Sequence, residues 1–215
     1  MTNNVIPTVL SHDLKDFKEK LKKLKKISKF IHIDIMDGKF TGRKSPDIRG
    51  LKIDKAHFYE AHVMAFKPYN YFYELKKIGI KKIIFHLEAC TDSEAYKAIK
   101  LAAKLNLDLF VAINPGTGIR KYADFIGRVD GILLMGVRPG KEGQEIDKRI
   151  YERILGLRKM DKKIIVQIDG GVRPDNARKL IISGANILNT GSFVSNSENP
   201  EKALSLLKEK IRKAK

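Results

Sequence analysis

The stretch Phe30-Ile31-His32-Ile33-Asp34-Ile35-Met36-Asp37-Gly38 decides how this chain folds. From Phe30 to Ile35 it alternates bulky apolar residues with a few polar ones and holds no turn former, which reads as a strand buried on both faces. Alternation along a strand sends His32, Asp34 and Met36 to one side of it. Working outward, short runs of the same kind recur at Val5 to Leu10, His57 to Val63, Lys82 to His86, Leu109 to Ile113, Gly131 to Met135, Ile164 to Ile168 and Ile187 to Asn189. Amphipathic stretches lie between many of them. Residues 13–30 carry Leu14, Phe17, Leu21, Leu24 and Ile27 at helical spacing, and Tyr69 to Ile78, Asp92 to Leu105, Glu145 to Met160, Pro174 to Ser183 and Pro200 to Ala214 also read as helices. Asp92 and Pro174 are helix starters and Gly184 is a stop. Lys39 to Gly50 is too broken by Gly and Pro for a full helix. Eight strand-then-helix units, with no linker-like stretch in 215 residues, predict one α/β domain over 1–215, closed as a (β/α)8 TIM barrel rather than an open doubly wound sheet.

Composition narrows the function. Hydrophobic residues make up 43% of the chain, enough for a real core. The formal charge of +18 raises the possibility of a nucleic-acid partner, but the lysines of 13–30 fill the solvent positions of a helix, so no nucleic acid is expected. The first ten residues lack the basic flank and long apolar core of a signal peptide, and no apolar run could span a bilayer, so the expected setting is cytoplasmic and membrane-free. Cys90 is the only cysteine, which excludes an internal disulfide and a cysteine zinc cluster. Any metal must be held by histidines and carboxylates.

In a barrel the active site is built at the C-terminal ends of the strands. His32 and Asp34 stand together near the end of the second strand, His62 near the end of the third, and Asp169 at the end of the seventh. Four ligand-type side chains at three strand ends suit one divalent ion, with zinc, iron(II), manganese and cobalt all compatible. Glycine-rich loops follow the last three strands: Pro139 to Gln144, Asp169-Gly170-Gly171 and Thr190-Gly191-Ser192. Each is either a plain turn or a place where backbone N–H groups bind phosphate. Met36, Met64 and Met135 lie near strand ends, where a thioether either fills a core gap or walls a reacting carbon without donating a proton.

These motifs resemble the ribulose-phosphate 3-epimerase family. The matching segments are PTVLSHD, HIDIMDG, AHVM, FHLEA, INPGT, MGVRPGKEGQ, VQIDGGV and GANILNTGS, in the family's order from residue 7 to residue 192. The resemblance implies that His32, Asp34, His62 and Asp169 are metal ligands and that Asp34 and Asp169 are also the acid/base pair. It implies substrate contacts from Thr8, His62, Gly140, Gly143, Gly170, Gly171, Gly191 and Ser192, with Thr8 standing where serine is usual. Two loops depart from the family. After Phe40 the chain reads Thr41-Gly42-Arg43-Lys44-Ser45 in place of the usual Val-Pro-Asn, and Lys141-Glu142 replace Phe-Gly between Gly140 and Gly143.

Inverting a carbon beside a ketone requires one group to take a proton on one face and another to return one on the opposite face. Asp34 and Asp169 fill those roles in this reading, a metal ion offsets the charge of the enediolate, and the three methionines shield it. The expected partner is a small sugar phosphate, ribulose 5-phosphate with xylulose 5-phosphate. Another ketose phosphate such as allulose 6-phosphate, or a non-catalytic basic binding barrel, are the alternatives, and relatives of such enzymes lead to the expectation of a homo-oligomer. His86 and Glu88 receive no role.

Overall fold

The computed structural model describes residues 4–212. In chain order its regular elements are β1 (Asn4–Val9), α1 (Leu14–Lys25), β2 (Phe30–Met36), β3 (Phe58–Met64), α2 (Phe72–Ile78), β4 (Lys82–His86), α3 (Asp92–Lys104) and β5 (Asp108–Ile113). These are followed by β6 (Gly131–Met135), α4 (Ile150–Met160), β7 (Ile165–Asp169), α5 (Pro174–Ile182), β8 (Ile187–Thr190), the short turn α6 (Ser192–Ser195) and α7 (Pro200–Arg212). The eight strands are all parallel and β1 pairs with both β2 and β8, so the sheet closes on itself as a (β/α)8 barrel.

Local chemistry sets the helix boundaries. Asp13 caps α1 by accepting from the backbone N–H groups of Lys15 and Asp16, both at 2.9 Å, and Thr91 with Glu94 forms a capping box on α3. Pro174 opens α5, where its missing N–H costs nothing. The apolar stripes of the helices then pack on the outer face of the strands, with Phe17, Leu21 and Leu24 of α1 buried against Val5, Val9, Ile31 and Ile33.

Two expectations need adjustment. The helix expected from Glu145 begins at Ile150, because Asp147 N–H donates 2.7 Å to Gly136 O and ties 145–149 down as a loop beside the barrel mouth. Two of the seven strand-to-strand crossovers hold no α-helix: β5 leads to β6 through a 3-10 helix at Ile119–Phe125, whose buried Tyr122 and Phe125 cover the strands instead, and β2 leads to β3 through a 3-10 turn at Ile48–Gly50, in keeping with the Gly- and Pro-broken sequence of Lys39 to Gly50. The helix expected from Pro200 to Ala214 is present over Pro200–Arg212, and the last two residues of that expectation lie outside the described residues.

Strand register stacks the interior in layers. His32 pairs with Glu60 and Glu60 with Lys82; one layer nearer the mouth Asp34 pairs with His62, and above that Met36 pairs with Met64. On the far side Met135 pairs with Asp169. Ile84, Phe110, Ala112, Leu133 and Met135 fill part of the interior. Phe110 lies so near Gly131 that a β-carbon there would come within 2.3 Å of the ring, so only glycine fits beside it.

Candidate active site

Each inward residue of β2 owes its position to the pleat. His32, Asp34, His62 and Asp169 offer one ligand atom apiece, all within 4.8 Å of one another, and all four residues are buried. His32 Nε2 is 3.3 Å from Asp34 Oδ1, and His62 Nδ1 is 3.1 Å from Asp34 Oδ1 and 3.5 Å from Asp169 Oδ2. His32 Nε2 is fully buried and makes no hydrogen bond of good geometry. Two imidazoles and two carboxylates converging on one point, with a buried ring nitrogen left over, fit a divalent cation of the kind that accepts N and O ligands.

The electrostatics lead to the same place. Burial alone would depress the His32 imidazole, but the Asp34 and Glu60 carboxylates more than offset it and raise its pKa to about 10. His62 is likewise raised, the penalty of burial being outweighed by Asp169 and Asp34. Burial pushes Asp34 up, yet His32 and His62 pull it well below the ordinary carboxylate range. The pocket is therefore built to hold positive charge, as protons on the histidines or as a cation in their place.

Behind His62 lies an arrangement that sequence reading missed. The backbone N–H of Asn114 donates 2.9 Å to Glu88 Oε1, Glu88 Oε2 is 3.4 Å from His86 Nδ1, and His86 Nε2 is 2.8 Å from His62 Nε2. Burial lowers the His86 pKa to about 4, so its ring is neutral, and a carboxylate can only accept. His86 Nδ1 therefore carries the proton given to Glu88 and His86 Nε2 accepts from His62 Nε2–H, so that His62 Nδ1 is the nitrogen that faces Asp34 and Asp169 and would give its lone pair to a cation standing in for its proton. The signal was present in the His86-x-Glu88 spacing at the end of β4.

A single cavity at the mouth joins these groups to the glycine loops. Asp34 and Asp169 line it together with Thr8, Met64, Met135, Gly140, Glu142, Gly143, Gly170, Gly171, Gly191 and Ser192. His32 and His62 do not line it and lie beneath it. Thr8 Oγ1 is buried with no protein partner, as a hydroxyl awaiting a ligand would be. Met36 does not reach this cavity: it packs with Leu10, Met64 and Phe40 and lines the neighbouring cleft with Asp37 and Lys44. Gly170 and Gly171 have φ of +90° and +72°, and a β-carbon on them would strike Val137 Cγ2 at 2.3 Å and Ile146 at 2.8 Å, so this turn is closed to any other residue. Arg138, Lys141 and Arg173 also stand at the rim, the last unremarked in the sequence.

The loops at Thr41 to Ser45 and Arg138 to Gln144 touch each other. A β-carbon on Gly140 would lie 2.6 Å from Thr41 Cβ, so the loop after β2 packs directly on the loop after β6. Gln144 Nε2 donates to Arg138 O at 2.7 Å and to Lys141 O at 2.8 Å and holds the second loop in a tight turn. Glu142 points inward, which burial marks by raising its pKa.

Residues 4–195 match the family described as the ribulose-phosphate 3 epimerase family. The chain belongs to the ribulose-phosphate 3-epimerase family. Among curated relatives of this epimerase family, the ribulose-phosphate 3-epimerase of Schizosaccharomyces pombe is 26% identical, covering 98% of this chain and 94% of the relative. The chloroplastic ribulose-5-phosphate-3-epimerase of Arabidopsis thaliana is 29% identical over 98% of this chain and 78% of its own length. Among solved structures, 3-hexulose-6-phosphate synthase from Salmonella typhimurium superposes with a TM-score of 0.74 at 11% identity, covering 99% of this chain and 100% of that one. Orotidine 5'-phosphate decarboxylase from Pyrococcus horikoshii gives 0.67 at 16%, covering 97% and 99%. At such identities the structural likeness shows the barrel alone, whereas the family match makes the chain an enzyme of the epimerase class. Among the described residues, no helix is long and apolar enough to cross a membrane.

Proposed function

We propose that this chain is a metal-dependent 3-epimerase interconverting ribulose 5-phosphate and xylulose 5-phosphate, as the names of its curated relatives suggest. The observation that carries the reading is that Asp34 and Asp169, from strands separated by β8 and β1, line one cavity with the glycine loops that a phosphate needs. A sugar phosphate laid across that cavity places its reacting carbon between two carboxyl groups. Asp34, held ionised by His32 and His62, takes the proton from the carbon next to the ketone on one face. Asp169 returns a proton on the other face, and in the reverse reaction the two exchange roles.

His32, Asp34, His62 and Asp169 would hold the divalent cation, which when bound would supply electrostatic stabilisation of negative charge developing on the substrate oxygens. The chain's own residues do the rest. Thr8 offers its unpartnered hydroxyl to a substrate oxygen. Met64 and Met135 present apolar, non-donating walls, and Met36 supports Met64 from behind. The backbone at Gly140, Gly143, Gly170, Gly171, Gly191 and Ser192 receives the phosphate, whose binding energy orients the distant carbon. A cytoplasmic setting accords with a lone Cys90, and family membership leads to the expectation of a homo-oligomer, which light scattering would check.

A second reading, epimerisation of another ketose phosphate such as allulose 6-phosphate, is favoured by one feature: Glu142 reaches into the glycine cradle at the phosphate end. The deciding experiment is turnover of ribulose 5-phosphate by protein stripped with chelator and reloaded separately with zinc, iron(II), manganese or cobalt, with allulose 6-phosphate alongside. Chelator-sensitive turnover of the pentulose is expected. Activity on the hexulose alone would hand the case to the second reading, and silence on both would sink the two-carboxylate scheme.

A further inference from the structure

Below the four candidate ligands the barrel interior holds charge that the proposed chemistry does not use. Glu60 is 1% exposed, Lys82 5%, Gln167 0% and Asn189 1%. Lys82 Nζ contacts Glu60 Oε2, lies 3.0 Å from Gln167 Oε1 and sits 4.2 Å above the Phe110 ring. Gln167 Nε2 donates to Glu60 Oε1 at 2.6 Å and to Asn189 Oδ1 at 2.8 Å. Glu60 Oε1 is in turn 2.6 Å from His32 Nδ1. Layers of a barrel interior are ordinarily apolar, and a buried ion pair is often no more stable than a well-packed apolar pair in its place. Fold stability therefore does not account for the cluster.

All but one of its hydrogen bonds agree in direction. An ammonium only donates, so Gln167 must present its oxygen to Lys82 and its amide nitrogen to Glu60 and Asn189. Glu60, facing Lys82, is a carboxylate and only accepts. The nitrogen of His32 beside it must therefore carry the hydrogen, which leaves Nε2 as the donor atom facing Asp34. Asn189 Nδ2, 2.6 Å from the same His32 Nδ1, pulls toward the opposite tautomer. The carboxylate prevails because a bond to an ionised acceptor is about twice as strong as a neutral one, and Asn189 Nδ2 has Glu60 Oε1 at 3.5 Å as an alternative acceptor.

We propose that Lys82 and Glu60, with Gln167 and Asn189, form a buried relay that positions His32 to present Nε2 to a divalent cation. The proposal rests on the metal-binding reading given above. Lys82 and Glu60 are positioning residues in it: neither lines the mouth cavity. Partners of this kind behind a histidine ligand typically change metal affinity by about 10- to 100-fold.

The test is Co(II) titration against a competing chelator, read by visible absorbance, on the wild type, on Glu60→Leu/Lys82→Met and on Glu60→Gln/Lys82→Met. The leucine double variant is expected to keep its thermal midpoint without metal, to bind Co(II) about 10- to 100-fold more weakly and to shift the absorption band. The glutamine double variant, which restores a carbonyl acceptor for Nδ1–H, is expected to recover most of the affinity. Wild-type affinity and spectrum in the leucine variant, or equal loss in both, would overturn the relay. Should neither variant fold, ring-nitrogen NMR of the zinc-loaded wild type decides: a proton on His32 Nδ1 supports the relay, and one on Nε2 overturns it. Failure of the underlying metal reading shows separately, as wild type that takes up Co(II) no better than His32→Ala, and the relay falls with it.

Discussion

Glu142 Oε1 lies 3.3 Å from where a β-carbon on Gly191 would stand, inside the cradle proposed for phosphate. That oxygen is buried without a hydrogen-bond partner, and the nearest cation, Lys20 Nζ, is 3.9 Å from the other carboxylate oxygen. A phosphate entering the cradle must displace or repel this carboxylate. Glu142→Gly is expected to lower KM for the sugar phosphate about tenfold with kcat nearly unchanged, a gain of roughly 1.4 kcal/mol in binding. Steady-state kinetics on both proteins give the answer, and a KM that does not fall would show that Glu142 moves aside at no cost.

Asp169 contributes a carboxylate oxygen to the candidate cation site and lines the cavity, so its replacement separates fold from chemistry. Asp169→Asn is expected to melt within a few degrees of the wild type, since the amide is nearly isosteric. It is also expected to lose at least about 10²-fold in kcat, the lower end of what a positioned acid/base group contributes. Exchange of substrate hydrogen with deuterated solvent adds a sharper readout: with one carboxylate left, exchange without inversion can persist while epimerisation stops. Near-normal inversion by this variant would remove Asp169 from the proton transfer.

The raised histidines make metal binding compete with protons. His32 has its pKa lifted from 6.5 to about 10 in the metal-free protein. Its contribution to metal-free stability is therefore fully present below pH 6.5 and fades as pH rises toward 10, as linkage requires for a group whose folded pKa exceeds its unfolded one. A cation must expel that proton, which becomes easier as pH rises. The rise in melting temperature on adding Zn(II) or Co(II) is accordingly expected to grow from pH 6 to pH 8, and thermal shifts in buffers of equal ionic strength measure it. An increment that shrinks with pH would place the cation elsewhere.

Much of this architecture is legible along the chain because the strands carry their own period. His32 and Asp34 share a face through alternation, and the turn after Asp169 needs two glycines with positive φ. The buried cluster was less visible, although the signal existed: Glu60, His62 and Met64 alternate on β3 just as His32, Asp34 and Met36 do on β2. What a single strand does not reveal is the partner, since Glu60 meets Gln167 across 107 residues and His32 meets Asn189 across 157. Loop placement was harder still. Helical periodicity runs back to Glu145, but the bond from Asp147 N–H to Gly136 O holds that segment beside the mouth, a tertiary contact that no local pattern encodes.

His86 offers the last test, because its ring stacks on His62 with centroids 4.9 Å apart and an interplanar angle of 22°. His86→Phe would keep that stacked ring and its volume while removing the nitrogen that accepts from His62 Nε2–H. The buried N–H left behind costs about 1–3 kcal/mol, and His62 is then free to adopt the tautomer that points a hydrogen at Asp34 and Asp169. Affinity for Co(II) is expected to drop about 10- to 100-fold, with activity recovering as metal concentration is raised. Metal titration followed by turnover at saturating metal separates the two effects. Loss of activity that saturating metal does not restore would mean that His86 acts on the substrate rather than through His62.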